Sequence, residues 1–309
     1  MLPQFPIFKA IELEDKEEIE KITQKYPPYS DFNFASMWSW DIRGEMRVSK
    51  LYDNLVIRFT DYITDKLFYS FLGDNRTTET AEELLKISKN ENLKLELRLI
   101  PEISLKNIDL GKFIIKEDRD NFDYIYSTKK LAILPGAEYS NMRRLVNNFG
   151  KKNKNISIRT LDLSLVEDRL EILKLDYLWK KNKNQDFDTE NEYEALNRLL
   201  SSANYFSLRN IGVFVENKLI AFTINENNSN QHATSFFAKF DVHYKGSYFY
   251  SMKRTAESLL EGNYEYLNCE QDLGLPGLRF CKESLRPVEY LKKFTLKAKS
   301  PHLGLDYQN

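Results

Sequence analysis

Two stretches of this chain read as β-hairpins, and each is followed by the same succession of elements. The first is EMRVSKLYDNLVIRFTDYI, where apolar and polar residues alternate on both sides of Asp53-Asn54. The second is GVFVENKLIAFTINE, around Glu216-Asn217. Alternation broken by such a pair is the signature of two strands joined by a tight turn. After the first hairpin come a strand (FYSFLGD), a helix (TTETAEELLKISKNEN) and a strand (LKLELRLIP). After the second come a strand (HATSFFAKFD), a helix (GSYFYSMKRTAESLLEGN, closed by Gly262-Asn263) and a short strand (YEYLN). Helical stretches precede both hairpins. In the first half these are residues 12–26, with acids crowding the first turn, and the aromatic run YSDFNFASMWSWD. In the second half they are LSLVEDRLEILKLDYLWKKN and TENEYEALNRLLSSANY. The repetition is one of element order, not of letters. It predicts an α/β (α+β) chain of two tandem domains, residues 1–136 and 137–309.

The remaining segments are fitted to that plan. FIIKEDRDNFDYIYS reads as a strand pair, ISIRTLD as a strand, and YLKKFTLK as the strand that closes the second domain. At 309 residues, with 42% hydrophobic and 29% charged residues, the chain has enough apolar surface for two cores. Phe34, Trp38 and Trp40 are expected to pack in a core or interface rather than to form a ligand platform.

The bulk properties exclude several classes. Only two cysteines occur, Cys269 and Cys281, with no CxxC and no histidine beside them, so no zinc site is expected. So few thiols fit a reducing compartment. The N-terminus turns acidic at once and does not read as a secretory leader. No window approaches the roughly 20 apolar residues of a membrane span. The expectation is a cytoplasmic protein, at most peripheral to the inner face of a membrane. The three histidines, His232, His243 and His302, form no hydrolase triad with a nucleophile elbow. Walker-type and dinucleotide-binding glycine loops are absent as well.

Net charge is -1, but the first half is acidic and the second basic. The run NMRRLVNNFGKKNKNISIRT carries Arg143, Arg144, Lys151, Lys152, Lys154 and Arg159 and no acid. It reads either as a solvated linker helix or as a surface for phosphate, on a nucleic acid or a lipid head group.

Chemistry concentrates in two places. One is NCEQDLGLPGLRFCKESLRP, which leaves the end of the strand YEYLN. In open α/β sheets ligands bind beyond the carboxyl ends of strands. Alternation puts Asn268, Glu270 and Asp272 on one side while the strand lasts. Arg279 and Lys282 share a helix face. Glu270 or Asp272 would serve as proton acceptor, with Asn268, Gln271, Arg279 and Lys282 holding an anionic substrate. The same groups could instead form an internal salt-bridge knot. The other place is VHYKGSYFY, a turn into a helix. Bare amides at Gly246 and Ser247, with His243 and Lys245 beside them, would bind a phosphate or a carbonyl oxygen. An ordinary helix start reads the same way.

With those residues in view, the second half resembles the GNAT acyltransferase fold. Two such domains in tandem resemble Fem-type aminoacyltransferases and the cytosolic domain of phosphatidylglycerol lysyltransferases. Three stretches resemble an uncharacterised bacterial family grouped with that domain: Tyr29–Asp41, Asp123–Phe149 and Tyr264–Phe294. The resemblance implies two tandem GNAT-like domains with mixed central sheets flanked by helices. It also implies acyl transfer, with no covalently bound cofactor and with aminoacyl-tRNA or acyl-CoA as donor. The acceptor would be a lipid head group or a peptide. GNAT enzymes using coenzyme A show Arg or Gln, two residues, Gly, one residue, then Gly or Ala. Here that register reads His243-Tyr-Lys-Gly246-Ser-Tyr248, which shifts the expected donor toward charged tRNA. Tyr248 is expected to plug the donor slot.

Overall fold

The computed structural model describes residues 1–61, 64–182, 189–228 and 231–299. His302 lies outside them. In chain order the strands are β1 (Lys9–Ala10), β2 (Arg47–Leu51), β3 (Asn54–Thr60), β4 (Leu67–Leu72), β5 (Leu97–Pro101), β6 (Phe113–Glu117), β7 (Asp123–Ser127), β8 (Ile156–Thr160), β9 (Leu208–Val215), β10 (Lys218–Asn227), β11 (His232–Phe240), β12 (Tyr266–Asn268), β13 (Glu289–Leu291) and β14 (Lys293–Ala298). The helices are α1 (Lys16–Thr23), α2 (Phe34–Trp40), α3 (Thr77–Asn90), α4 (Thr128–Ile133), α5 (Ser140–Lys152), α6 (Val166–Asn182), α7 (Thr189–Ser201), α8 (Ser247–Glu261) and α9 (Pro276–Ser284).

Two seven-stranded sheets result, in the orders β1-β2-β3-β4-β5-β14-β6 and β13-β7-β12-β11-β10-β9-β8. Both are mixed. Antiparallel ladders join β1 to β4 and β8 to β11, and one parallel step follows in each sheet, β4 to β5 and β11 to β12. A helix makes each parallel crossover, α3 in one and α8 in the other, as parallel neighbours require. These are the mixed sheets flanked by helices expected of tandem GNAT-like halves.

The hairpins form where alternation placed them. Glu216 and Asn217 both take positive φ between Val215 and Lys218, the geometry of a two-residue turn matched to strand twist. In the first hairpin the turn is Tyr52-Asp53, one residue earlier than expected, and Asn54 already pairs with Leu51. Asn54 is buried and bonds the Asn75 carbonyl, which draws it into the strand.

The domain boundary differs from the one expected. The chain divides into one compact unit of Met1–Phe122 with Leu291–Asn309, and a second of Asp123–Tyr290. FIIKEDRDNFDYIYS is not a strand pair, because β6 belongs to the first sheet and β7 to the second. Nor does YLKKFTLK close the second domain; β14 sits between β5 and β6 in the first sheet. Each sheet thus takes a strand from across the expected boundary, β14 in the first and β7 in the second.

In the first unit, Val56, Tyr69, Phe71, Leu84, Leu97 and Leu296 form a core between sheet and α3. Phe34 is buried as expected, while Trp38 and Trp40 are half-buried. Lys293 of β14 is fully buried, as is its ion-pair partner Asp31. In the second unit, Tyr124, Tyr126, Phe149, Val213, Tyr250 and Leu267 share a core. The stretch 140–152 is no linker: α5 buries Met142, Val146 and Phe149 there, and the Phe149 and Tyr250 rings lie 4.6 Å apart.

Candidate active site

The site begins where two parallel strands part. β12 matches β11 only over His232–Thr234, and it ends at Asn268. β11 runs on beside β10 as far as Phe240. Past Asn268 the chain stays tied to β7, because Cys269 N–H donates to the Tyr124 carbonyl (3.0 Å) and Tyr124 N–H to the Glu270 carbonyl (3.1 Å). It then turns through Glu270, Leu273 and Gly274, all at positive φ. The amide of buried Asn268 donates to Asp123 (3.3 Å), and its oxygen accepts the Glu270 N–H (2.7 Å). Asn268 thereby shapes the turn.

Asp272 is fully buried and densely bonded. Arg279 Nε reaches Oδ2 at 2.8 Å and Nη2 reaches Oδ1 at 2.7 Å, a two-pronged pair. Tyr124 donates its hydroxyl to Oδ2 (2.5 Å), and Gly274 its amide to Oδ1 (2.8 Å). Burial alone would raise the Asp272 pKa. The bonds from Arg279, Tyr124 and Gly274 outweigh it and hold the carboxyl below its ordinary value. Of the two carboxylates suggested as bases, this one is built as a clamp for the loop. Arg279, bound to it, is correspondingly a brace.

Lys282 differs from expectation more sharply. It is buried, donates to the Cys269 carbonyl, and lies 5.8 Å from the Tyr124 ring centre. Burial lowers its pKa, against the pull of Cys269, Glu270, Asp123 and Asp272. A lysine in that position does not reach out for an anion in solution; it is an internal cation with a loosened proton. Beside it, the Tyr290 hydroxyl lies 2.9 and 3.0 Å from the two Glu283 oxygens, and the Tyr124 hydroxyl is 3.3 Å from Glu283. Sequence reasoning missed Asp123, Tyr124, Glu283 and Tyr290 as members. Tyr124 lies far from the loop in the chain. Its only signal was that 123–149 and 264–294 both belong to the resembling stretches. Glu270 and Gln271 are half-buried here.

The turn before α8 is less open than expected. Gly246 is the N-cap at φ 95, and a Cβ there would stand 2.8 Å from the Leu145 carbonyl oxygen. The glycine admits the backbone of α5, so close approach is already explained within the chain. Ser247 is buried; its amide donates to the Tyr244 carbonyl (2.9 Å) and its hydroxyl to the Asp241 carbonyl (3.3 Å). Its amide is therefore not bare. His243 is exposed, with Nδ1 2.8 Å from Asp241, which Lys218 also meets at 3.0 Å. Lys245 is exposed. Tyr248 lies 5.2 Å from Phe240, and burial beside Cys269 and Cys281 pushes its hydroxyl well above the usual range. Its ring therefore points toward the loop that follows β12.

The basic run separates in the same way. Arg143 donates to the Leu134 and Gly136 carbonyls (2.5 and 2.6 Å) and so caps the end of α4. Arg144 is exposed beside Asn141 (2.7 Å). Arg159 pairs with Asp168 (2.5 Å), and Lys151, Lys152 and Lys154 are exposed.

Two helix-flanked mixed sheets of this topology, with a polar loop where the parallel strands part, make up the tandem GNAT-like fold. The family described as phosphatidylglycerol lysyltransferase, C-terminal, matches residues 23–297, and the chain belongs to it. A search of the curated proteins returns no match. Among solved structures, a conserved protein of unknown function from Bacteroides thetaiotaomicron is similar at 27% identity and TM-score 0.84, over 97% of this chain and 100% of that one. The C-terminal domain of a protein described as a lysylphosphatidylglycerol synthetase, from Agrobacterium fabrum, shares the fold. Its TM-score is 0.64 at 13% identity, over 94% of this chain and 92% of that one. L-PGS from Bacillus licheniformis does so at TM-score 0.61 and 14% identity, over 93% and 92%. Family and fold together point to an acyltransferase. Among the described residues no helix is long and apolar enough to cross a membrane, and no cluster of three metal-ligating side chains occurs.

Proposed function

We propose that the chain transfers an aminoacyl group from charged tRNA to an amine or hydroxyl on a lipid head group or peptide. One observation carries the reading: Glu270 stands beside buried Lys282 on the loop where β12 leaves the sheet, in a chain of this family. In the reaction the acceptor attacks the aminoacyl ester carbonyl. A new C–N or C–O bond forms, and the ester bond to the tRNA sugar breaks. Glu270 takes the acceptor's proton, directly or through water. Lys282 stabilises the charge that develops on the carbonyl oxygen, in a site where burial strengthens the effect. Asp272, Arg279 and Tyr124 hold the loop in shape for both. The exposed Arg144, Lys151, Lys152 and Lys154 meet tRNA phosphates, so binding weakens steeply with salt.

The test uses purified protein, tRNAs charged with labelled amino acids, and a pool of lipid and peptide acceptors. Transfer is expected, and Glu270→Gln should reduce its rate about 100-fold or more, the scale of general base catalysis. Equal rates in wild type and variant would reject the role of Glu270. A second reading is a binding module without turnover, favoured by the spent Ser247 amide and by Tyr248 beside Cys269 and Cys281. It predicts retention of aminoacyl-tRNA with no label transferred. The same two observations, with the His243–Tyr248 register, count against acyl-CoA as donor, and coenzyme A is expected to leave the Tm unchanged.

A further inference from the structure

On the face of the second sheet covered by α6 and α7 there is a buried charged group that the reading above does not use. Asp176 of α6 is 3% exposed. Among the described residues it makes no hydrogen bond and no ion pair. The charged groups around it are already matched. Lys239 of β11, itself buried, meets Glu192 of α7 at 2.5 Å and lies 3.6 Å from the centre of the Trp179 ring. Lys180 of α6 pairs with Glu190 of α7. The buried Glu226 of β10 is not free either. One carboxylate is left over, in surroundings where a lone charge is costly.

A monocation completes that arrangement. A metal ion fits poorly, because a fixed ammonium already occupies Glu192 and no three-ligand cluster occurs among the described residues. A compact ammonium fits better. It donates to a single carboxylate and lies against apolar stems, as Lys239 already does on Trp179. We propose that Asp176 anchors a binding site for the primary ammonium group of an amino-acid-like ligand, walled by Trp179, Glu192 and Lys239. The identity of that ligand as the aminoacyl group of the donor rests on the transferase reading; the existence of the site does not.

Burial pushes the Asp176 carboxyl up to about 6, with Glu192 adding to the rise and Lys239 and Lys180 opposing it. Above that pH the site is anionic and takes a cation; below it the carboxyl is neutral and does not. The test is thermal shift and calorimetry on the full chain with L-alanine methyl ester or n-butylamine, at pH 7.5 and 5.0. Butanol and acetate serve as controls. Both amines are expected to raise Tm at pH 7.5, and to bind at least tenfold more weakly at pH 5.0. Asp176→Asn should lose the effect while melting no lower than wild type. Should that variant fail to fold, carboxyl-labelled wild type supplies the answer by NMR, where added amine must lower the apparent pKa of Asp176. Amine binding that survives in Asp176→Asn, equal binding of butanol, or an unmoved Asp176 titration overturns the proposal. Amine binding without aminoacyl transfer would leave this site standing and sink the transferase reading; transfer without amine binding would do the reverse.

Discussion

Buried ionisable groups set opposite demands on stability. Lys293 and Asp31 are both fully buried and paired. Removing one partner of such a pair strands the other's charge, at a cost of roughly 3–5 kcal/mol. Lys293→Met is therefore expected to lower stability by about that much, and Lys293→Met with Asp31→Leu to regain most of it, as read by urea denaturation. Asp176 works in the other direction. Its folded pKa of about 6 lies above the roughly 3.9 of an unfolded aspartate. Its contribution to stability is thus fully present below about pH 4 and is lost as pH rises through about 6. Asp176→Asn should gain on wild type at pH 7.5 and show no gain at pH 4, measured by Tm across that range. Asp272, held below its ordinary value, contributes above the unfolded carboxylate range and loses that contribution in acid. None of these states was legible in the letters. Asp272 and Lys282 read as polar loop residues, and only burial by Tyr124, Asp123 and the chain around Cys269 decides which is a clamp and which an internal cation.

At the scale of elements, local pattern was a good guide and local chemistry a poor one. Hairpins, α3, α8 and α9 follow from alternation, from helical periodicity and from Pro276 at a helix start. The turn at Gly246 follows from none of these. Its glycine answers to the carbonyl of Leu145 on another helix, which no window of sequence contains. Gly246→Ala is expected to destabilise by about 1–3 kcal/mol, combining a left-handed backbone with a clash against α5, as measured by denaturation. A site devoted to donor phosphate would instead lose affinity for tRNA with little change in stability. Similarly, α5 carries a basic stripe, but its Arg143 caps α4 while Arg144, Lys151 and Lys152 remain exposed. Replacing those three exposed residues with Gln should weaken tRNA retention and flatten its salt dependence by roughly one unit of slope each. Arg143→Gln should cost stability.

Across the whole molecule, the order of elements was readable and their allocation was not. Both halves carry the expected series, yet β14 completes the first sheet and β7 the second. Period-two patterning says which residues face a core; it does not say which core. A fragment ending at residue 136 lacks β14, while one starting at 137 lacks β7, so neither is expected to give a cooperative melting transition. A fragment of residues 123–291 keeps its sheet whole and is expected to melt cooperatively. Circular dichroism on the three would decide.

That allocation also reverses the order of assembly during synthesis. The other strands of the first unit are translated earlier but must wait for Lys293–Ala298 before a partner reaches the inner edges of β5 and β6. The second unit has its borrowed strand in hand from the beginning. On the ribosome, then, the later-made half is the first able to close, and the earlier-made half stands with an open seam until β14 has been made.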